Sequence, residues 1–209
     1  MAKRIAVLAS GSGTNLQALI DAQKSGEILG GEIVLVLSNK ENAYALTRAA
    51  QNGIATAVIP SKGDREAFTQ KIVDYLLEQQ IDLVVLAGFM IILGQQFTKT
   101  FRGRILNVHP ALIPSFCGDG FYGLKVHEKA LEYGVKLTGA TVHFVNEVTD
   151  GGEIVLQKAV EVREDDTPET LQRRVMEEAE WKILPQAVSL FCQDRLVIEG
   201  RKVKILDKE

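Results

Sequence analysis

Apolar runs and amphipathic stretches alternate along the first half of the chain. Strands are predicted where Val, Ile, Leu and Ala follow one another almost without a break, at 4–9, 32–37, 56–59, 83–87 and 105–109. Helices are predicted between them, where apolar residues recur at helical spacing, at 15–24, 44–52, 64–80 and 95–101. Strands that are apolar on both faces and separated by helices indicate a parallel sheet covered by helices on both sides.

The pattern changes after residue 109. Residues 110–123 show no period and hold two prolines and three glycines, so we expect a functional or mobile loop there. A helix is predicted at 126–133. Strands predicted at 141–145 and 154–162 flank a polar, glycine-containing turn, which indicates a hairpin.

The last third is predicted to hold a long helix and a second hairpin. Thr167 and Pro168 suit the cap and first position of a helix, which is expected to run toward Leu184 until Pro185 kinks it or starts a new helix. Residues 195–206 predict the second hairpin. The fold class expected is a single α/β domain with a Rossmann-like, mostly parallel sheet flanked by helices and antiparallel strands added in the C-terminal half.

Composition narrows the classes of function. With 24 Lys and Arg against 27 Asp and Glu, the net charge is −3, which lacks the basic excess typical of nucleic-acid binding. The longest apolar run, 83–93, is about half of what a membrane-spanning helix needs, and no cleavable signal pattern opens the chain. Two cysteines are too few for a disulfide framework or a cysteine zinc site. We therefore expect a cytoplasmic protein with no metal, nucleic-acid or membrane partner.

A glycine-rich turn, S-G-S-G-T-N at 10–15, joins the first strand to the first helix. The dinucleotide fingerprint G-x-G-x-x-G fails because Leu16 takes the last glycine position, and Ser38-Asn39-Lys40 lacks the acidic residue expected after the second strand. No ATP-binding P-loop is present either. Two interpretations stay open: a single phosphate bound at the helix N-terminus by Gly13, Thr14 and Asn15, or a tight turn with no ligand.

A polar pair ends the fifth predicted strand. Asn107 and His109 are two residues apart and therefore point to the same face, at the edge where open α/β sheets bind ligands. Two such donors can stabilise a developing negative oxygen. The alternative is that both side chains only bind the backbone of the following loop.

Other polar residues favour structural interpretations. Asp150 lies in a T-D-G-G sequence that is common in turns. His143 is expected to support its strand, and His127 is expected to be solvated on a surface helix. Cys117 and Cys192 are expected to be free thiols.

Six segments together resemble one enzyme family. They are SGSGTNLQALI at 10–20, SNK at 38–40, LAGFMIIL at 86–93, NVHPALIPSF at 107–116, TGATVHFV at 138–145 and DGGEIVLQ at 150–157. In order and spacing they resemble the phosphoribosylglycinamide formyltransferases, also called glycinamide ribonucleotide transformylases, which are folate-dependent enzymes of purine synthesis. The resemblance covers nearly the whole chain. It implies a phosphate-binding half at 1–106 and a catalytic and folate-binding half at 107–209.

The resemblance implies a reaction and its substrates. The amine of glycinamide ribonucleotide would attack the formyl carbon of 10-formyltetrahydrofolate, and a tetrahedral intermediate would expel tetrahydrofolate. Because the formyl donor is already activated, neither ATP nor a metal is implied. The implied partners are these small molecules, and a homodimer is one oligomeric state that the sequence allows.

The resemblance also implies roles for single residues. Asn107 and His109 would hold the formyl oxygen, with His109 as proton donor, and Asp150 would keep that histidine protonated. The ribonucleotide would be bound by Gly13, Thr14, Asn15 and Glu180. The pterin slot would be lined by Met90, Ile91, Ile92 and Leu93. Further folate contacts would come from Arg65, Asn107, Asn146, Glu147, Val148, Thr149 and Asp150.

The chain departs from the family pattern in two places, and other functions compete. Many relatives have a basic residue where Ile91 stands. Between Val175 and Pro185 this chain is one residue longer than some relatives, and Met176 stands there at a position where a polar contact can occur. A formyltetrahydrofolate deformylase or a methionyl-tRNA formyltransferase would use the same formyl donor, but each would be expected to carry an added domain. A nucleotide-sensing or NAD-linked module is a third alternative, which the incomplete glycine fingerprint disfavours.

Overall fold

A computed structural model describes residues 2–207, and it contains one nine-stranded sheet with helices on both faces. The strands are β1 (Lys3–Leu8), β2 (Gly31–Ser38), β3 (Ala55–Val58), β4 (Leu83–Leu86), β5 (Ile105–His109), β6 (Leu137–Phe144), β7 (Ile154–Glu161), β8 (Leu196–Glu199) and β9 (Lys202–Ile205). The helices are α1 (Thr14–Ser25), α2 (Tyr44–Gln51), α3 (Arg65–Glu78), α4 (Gln95–Thr100), α5 (Leu124–Tyr133), α6 (Pro168–Val175) and α7 (Trp181–Cys192). This architecture confirms the predicted fold class.

The first five strands form the parallel part of the sheet, in the order β3-β2-β1-β4-β5. Side chains along β1 point alternately to the two faces of the sheet, and each face forms its own hydrophobic cluster with the helices that cover it. Ile5 and Val7 pack in the core cluster that includes α1, whereas Ala6 and Leu8 pack in the cluster that includes α3. Because the strands are parallel, the loops that follow β1, β4 and β5 meet at one edge of the sheet.

The rest of the sheet is mainly antiparallel. β6 runs antiparallel to both β5 and β7, and the terminal hairpin of β8 and β9 joins through the single parallel pair Ile154 and Lys202. Both predicted hairpins are confirmed, but β6 begins at Leu137, four residues before the predicted strand at 141. The position of β6 beside β5 decides the geometry of the site.

The long C-terminal helix changes pitch where the sequence did not predict it. Its start is confirmed, since the Thr167 hydroxyl accepts from the Thr170 N–H at 3.3 Å and Pro168 takes the first helical position. Pro185, however, lies inside α7 and does not end a helix. The irregularity is a π-helical turn at Met176–Glu180, which we call the π turn. A π turn accommodates one extra residue within a helix. That this segment is one residue longer than in some relatives stays a prediction.

Within residues 2–207, no helix combines the length and the apolarity required to cross a membrane.

Candidate active site

The site is built where β5 ends between β4 and β6. In the antiparallel register Asn107 lies opposite His143, and Nδ2 of Asn107 is 3.1 Å from Nε2 of His143. Nδ1 of His143 lies 2.7 Å from the Phe144 carbonyl oxygen. Because a carbonyl only accepts, Nδ1 carries the hydrogen of the ring, and Nε2 therefore accepts from Asn107.

The hairpin loop between β6 and β7 brings Asp150 to the same place. Asp150 has a left-handed backbone with φ of 53°, which Asp tolerates better than most residues. One carboxylate oxygen lies 3.5 Å from Nδ1 of His109, and the other lies 3.6 Å from Nε2 of His143. The Gly118 N–H donates to this carboxylate at 2.9 Å. The structure thus brings Asn107, His109 and Asp150 together, as the resemblance implied.

Glycine is required beside Asp150 because the hairpin loop lies close to β6. A Cβ atom on Gly152 would stand 1.7 Å from the Phe144 carbonyl oxygen, and one on Gly151 would stand 2.6 Å from Val148. The D-G-G sequence therefore holds Asp150 against the histidines by close backbone packing.

The loop that follows β5 covers His109, which is only 4% exposed. Nε2 of His109 lies 2.8 Å from the Phe116 carbonyl oxygen, so this nitrogen donates and Nδ1 faces Asp150. The loop at 110–123 also supplies the Gly118 N–H to Asp150. It therefore belongs to the site, although it carries none of the residues predicted for catalysis.

Burial and the charge of Asp150 act on the pKa of His109 in opposite directions. Burial lowers the pKa of His109, and the charge of Asp150 and the Phe116 hydrogen bond raise it only in part, so the net shift is downward. Burial alone would raise the pKa of Asp150, but the positive charge that His109 can carry and the Gly118 N–H lower it below its ordinary value. Asp150 thus acts in the expected direction, but burial has the larger effect on the pKa of His109.

Two other histidines correct the sequence interpretation. His143 belongs to the site, where it contacts Asn107 and Asp150. His127 is fully buried on α5, and among residues 2–207 neither of its ring nitrogens has a hydrogen-bond partner. The expectation of a solvated His127 is therefore wrong. Burial, with a further contribution from His109, lowers the pKa of His127 to about 4. The sequence held a signal for this, since His127 lies next to Val126 and three residues before Ala130 on the buried stripe of α5.

The glycine-rich turn forms the N-terminus of α1. Gly13 has a φ of 72°, and a Cβ there would stand 2.8 Å from two atoms of Ala45. No side chain of the described residues caps α1, so the first amide groups of this helix stay available to an anion. Arg48 of α2 donates to the Ser12 carbonyl oxygen at 2.8 Å. This arginine adds positive charge beside the loop, and no sequence motif pointed to it.

Glu180 lies behind this loop, at the end of the π turn. Glu180 is only 5% exposed, and its carboxylate accepts a hydrogen bond from Nδ2 of Asn15 at 2.7 Å. Burial raises the pKa of Glu180 to about 7, although the Asn15 hydrogen bond lowers it. The structure therefore joins Asn15 and Glu180, and ribonucleotide binding by them stays a prediction.

The residues predicted for the folate lie along the same edge. Met90 and Ile92 are 53% and 60% exposed after β4, and a groove of about 280 Å³ beside them is lined by Ser61, Gly63, Arg65, Phe68, Ile91 and Ile92. The groove thus joins Arg65 of α3 to the predicted pterin segment. Thr149 of the hairpin loop donates to Asp119 at 3.0 Å, which links that loop to the one at 110–123. Folate binding at these residues stays a prediction.

Among residues 2–207 no group of three His, Cys, Asp or Glu side chains is arranged to hold a metal ion. The expectation of a reaction without metal or ATP stays a prediction. Cys117 and Cys192 are free thiols, as expected.

Known proteins resemble the chain over nearly its full length. A sequence model of the formyl transferase family matches residues 3–188. A phosphoribosylglycinamide formyltransferase of Haemophilus influenzae is 45% identical over 93% of this chain and 89% of its own. A crystal structure of glycinamide ribonucleotide transformylase 1 from Symbiobacterium toebii superposes with a TM-score of 0.92 and 45% identity, covering 99% of this chain and 95% of the other.

The fold extends to other formyl-folate chemistry. A formyltetrahydrofolate deformylase from Pseudomonas syringae superposes with a TM-score of 0.89 at 28% identity, covering 99% of this chain and 67% of the other. Fold alone does not separate the two activities, but the identities favour the transferase branch. The chain belongs to the formyl transferase family, in the branch of the phosphoribosylglycinamide formyltransferases.

Proposed function

We propose that the protein transfers the formyl group of 10-formyltetrahydrofolate to the amine of glycinamide ribonucleotide at the edge of the sheet where β5 ends. The observation that supports this reaction centre most is the convergence of Asn107, His109 and Asp150 from one strand and one hairpin loop. The chain-wide similarity to formyltransferases supports the substrates.

The proposed reaction places negative charge on the formyl oxygen. The amine nitrogen attacks the formyl carbon, the carbon–N10 bond then breaks, and one amine proton ends on N10 of the leaving tetrahydrofolate. Asn107 and His109 donate to the oxygen as it becomes negative. Each such donor contributes about 3–4 kcal/mol, or roughly a hundred- to a thousandfold in rate. Asp150 and His109 are the titratable groups proposed to carry the proton.

Two contacts orient these donors. One N–H of Asn107 is directed at His143, which fixes the amide so that its second N–H can reach the formyl oxygen. The Nε2 hydrogen of His109 is directed at the Phe116 carbonyl, and the formyl oxygen would replace that acceptor. Charge developing on the formyl oxygen, together with Asp150, then favours the imidazolium form that burial disfavours in the free enzyme.

The two substrates would approach this centre from different loops. We place the ribonucleotide phosphate at the uncapped N-terminus of α1, at Gly13, Thr14 and Asn15. We place the folate along Met90–Leu93 and the hairpin loop at 146–150, with its glutamate carboxylates toward Arg65 in the groove. The donor is activated at N10, so the proposed reaction needs neither ATP nor a metal. A cytoplasmic location and a homodimer stay predictions.

A substrate-omission assay tests the function. We expect tetrahydrofolate to form from 10-formyltetrahydrofolate only when glycinamide ribonucleotide is added, with one formylated ribonucleotide per tetrahydrofolate. Equal turnover without the ribonucleotide would identify a deformylase. A folded protein with no turnover in either mixture would refute the proposal.

The Asn107→Ala variant tests the proposed reaction centre, and Asn42→Ala is its matched control. Asn107→Ala should reduce turnover about a hundredfold or more because it removes one donor to the formyl oxygen. Asn42→Ala makes the same chemical change at an exposed position and should leave turnover within about twofold.

A further inference from the structure

Two side chains of the glycine-rich loop contact the π turn. The amide of Asn15 donates to Glu180 at 2.7 Å, and the Thr14 hydroxyl lies 3.8 Å from the sulfur of Met176. Thr14 and Asn15 form the first turn of α1, whereas Met176 and Glu180 lie at the two ends of the π turn. These contacts join parts of the chain that are more than 160 residues apart in sequence.

The contact between Asn15 and Glu180 joins a half-buried amide to a buried carboxylate. Glu180 is 5% exposed, and Asn15 supplies its side-chain hydrogen bond. The other polar atom of that amide, Oδ1 of Asn15, is shielded from solvent and has no partner within the described part of the chain. A shielded polar atom without a partner is uncommon in folded proteins and calls for an explanation. Here the unpartnered acceptor lies beside a carboxylate and on the same turn as the predicted phosphate contacts.

We propose that Asn15 is a positioning residue for the ribonucleotide site, which acts by holding the carboxylate of Glu180 in a fixed relation to the phosphate-binding turn of α1. The proposal rests on the proposed function and extends it. The backbone of the turn binds the phosphate, and the amide side chain of Asn15 aims Glu180 at the rest of the same molecule. The Asn15 side chain thereby contributes to the recognition of the whole ribonucleotide but not to the binding of phosphate alone.

The π turn explains how Glu180 reaches α1. The N–H of Trp181 bonds to the Met176 carbonyl five residues earlier, so the helix widens by one residue in this turn. The wide turn presents both Met176 and Glu180 to the first turn of α1. The widened turn thus lies where the two elements touch.

Steady-state kinetics of single and double variants test the proposal. Asn15→Ala should raise KM for glycinamide ribonucleotide about tenfold or more, the value of one hydrogen bond to a charged group. The turnover number and KM for 10-formyltetrahydrofolate should change by less than about twofold. Asn15→Asp has the same size but no donor, and it should raise KM at least as much. If Asn15→Asp keeps the wild-type KM, the donor is not required and the proposal is overturned.

A double-variant cycle shows whether Asn15 acts through Glu180. Side chains in direct contact give non-additive effects, so the Asn15→Ala, Glu180→Ala double variant should have the same KM as Glu180→Ala alone. Multiplicative effects of the two substitutions would overturn the proposal. Asn42→Ala is the matched control and should leave every constant within about twofold. Melting temperatures of all variants confirm that each is folded under the assay conditions.

Inorganic phosphate as a competitive inhibitor separates the two functions of the loop. Its inhibition constant should stay within about twofold in Asn15→Ala, since backbone amides bind phosphate, while KM for the ribonucleotide rises. If the inhibition constant of inorganic phosphate rose as much as KM for the ribonucleotide, the effect would lie in the phosphate-binding turn and the proposal would be overturned. Wild-type protein without ribonucleotide-dependent turnover would instead refute the proposed function, so the two failures are distinguishable.

Discussion

Replacing Asp150 by Asn tests the proposed coupling between this carboxylate and His109. The substitution keeps the size of the side chain and can keep the hydrogen bond from Gly118, but it removes the charge 3.5 Å from Nδ1 of His109. An opposite charge at that range shifts a pKa by about 1–3 units, and one unit corresponds to about 1.4 kcal/mol. Asp150→Asn should therefore destabilise an imidazolium at His109 by about 1.4–4 kcal/mol.

Two measurements check this value. The kcat/KM of Asp150→Asn should fall about ten- to a thousandfold, since a charged imidazole is favoured as the formyl oxygen gains charge. Nuclear magnetic resonance titration should show the pKa of His109, which burial already lowers, falling further. The pKa of His109 should fall because the carboxylate of Asp150, which the substitution removes, favours the protonated imidazole.

Asp119→Asn is the matched control for this prediction. Asp119 is an exposed carboxylate of the loop at 110–123, and its contact with the Thr149 hydroxyl survives in Asn. It should leave kcat/KM within about twofold. An unchanged pH–rate profile in Asp150→Asn, with activity like that of the control, would refute the coupling.

Three further predictions follow from burial and close packing. His127 has a pKa of about 4 when folded and 6.5 as its ordinary value, so protons favour the unfolded chain as pH falls between these values. Between pH 7 and pH 4.5 the unfolding free energy of His127→Leu should therefore fall by about 2–3 kcal/mol less than that of the wild type, as measured by urea unfolding. Gly152→Ala should lower both kcat/KM and melting temperature, because its Cβ would meet the Phe144 carbonyl at 1.7 Å; wild-type values would contradict the close approach. His143→Phe should lower kcat about tenfold by removing the acceptor for Asn107, with the ribonucleotide KM unchanged; an equal rise in KM would argue against an orienting role.

Local sequence patterns predicted the parts of the fold that depend on local periodicity. Apolar runs marked β1, β2, β4 and β5, and the two-residue spacing of Asn107 and His109 placed both on one face at the correct edge of the sheet. Thr167 and Pro168 marked a helix start because capping is a local interaction. In each case the physical cause lies within a few residues of the signal.

The residues that local patterns missed depend on long-range pairing. His143 enters the site only because β6 pairs antiparallel with β5 in the register that sets it opposite Asn107. Asp150 is in a common turn sequence, and only the position of that hairpin beside β5 carries it to His109. The resemblance to a known family implied a role for Asp150 where the residues alone indicated only a turn.

The net charge of −3 also bears on how the proposed anionic substrates are held. Charges separated by more than about 8 Å are largely screened at physiological salt, so the overall charge contributes little at the site. We propose that attraction comes from nearby groups. For the phosphate these are the uncapped amides of α1 with Arg48 beside them, and for the folate carboxylates Arg65 in the groove. These groups lie on separate elements around the His109 and Asp150 pair. Neutralising Arg48 should therefore weaken binding of the ribonucleotide alone, and neutralising Arg65 should weaken binding of the folate alone.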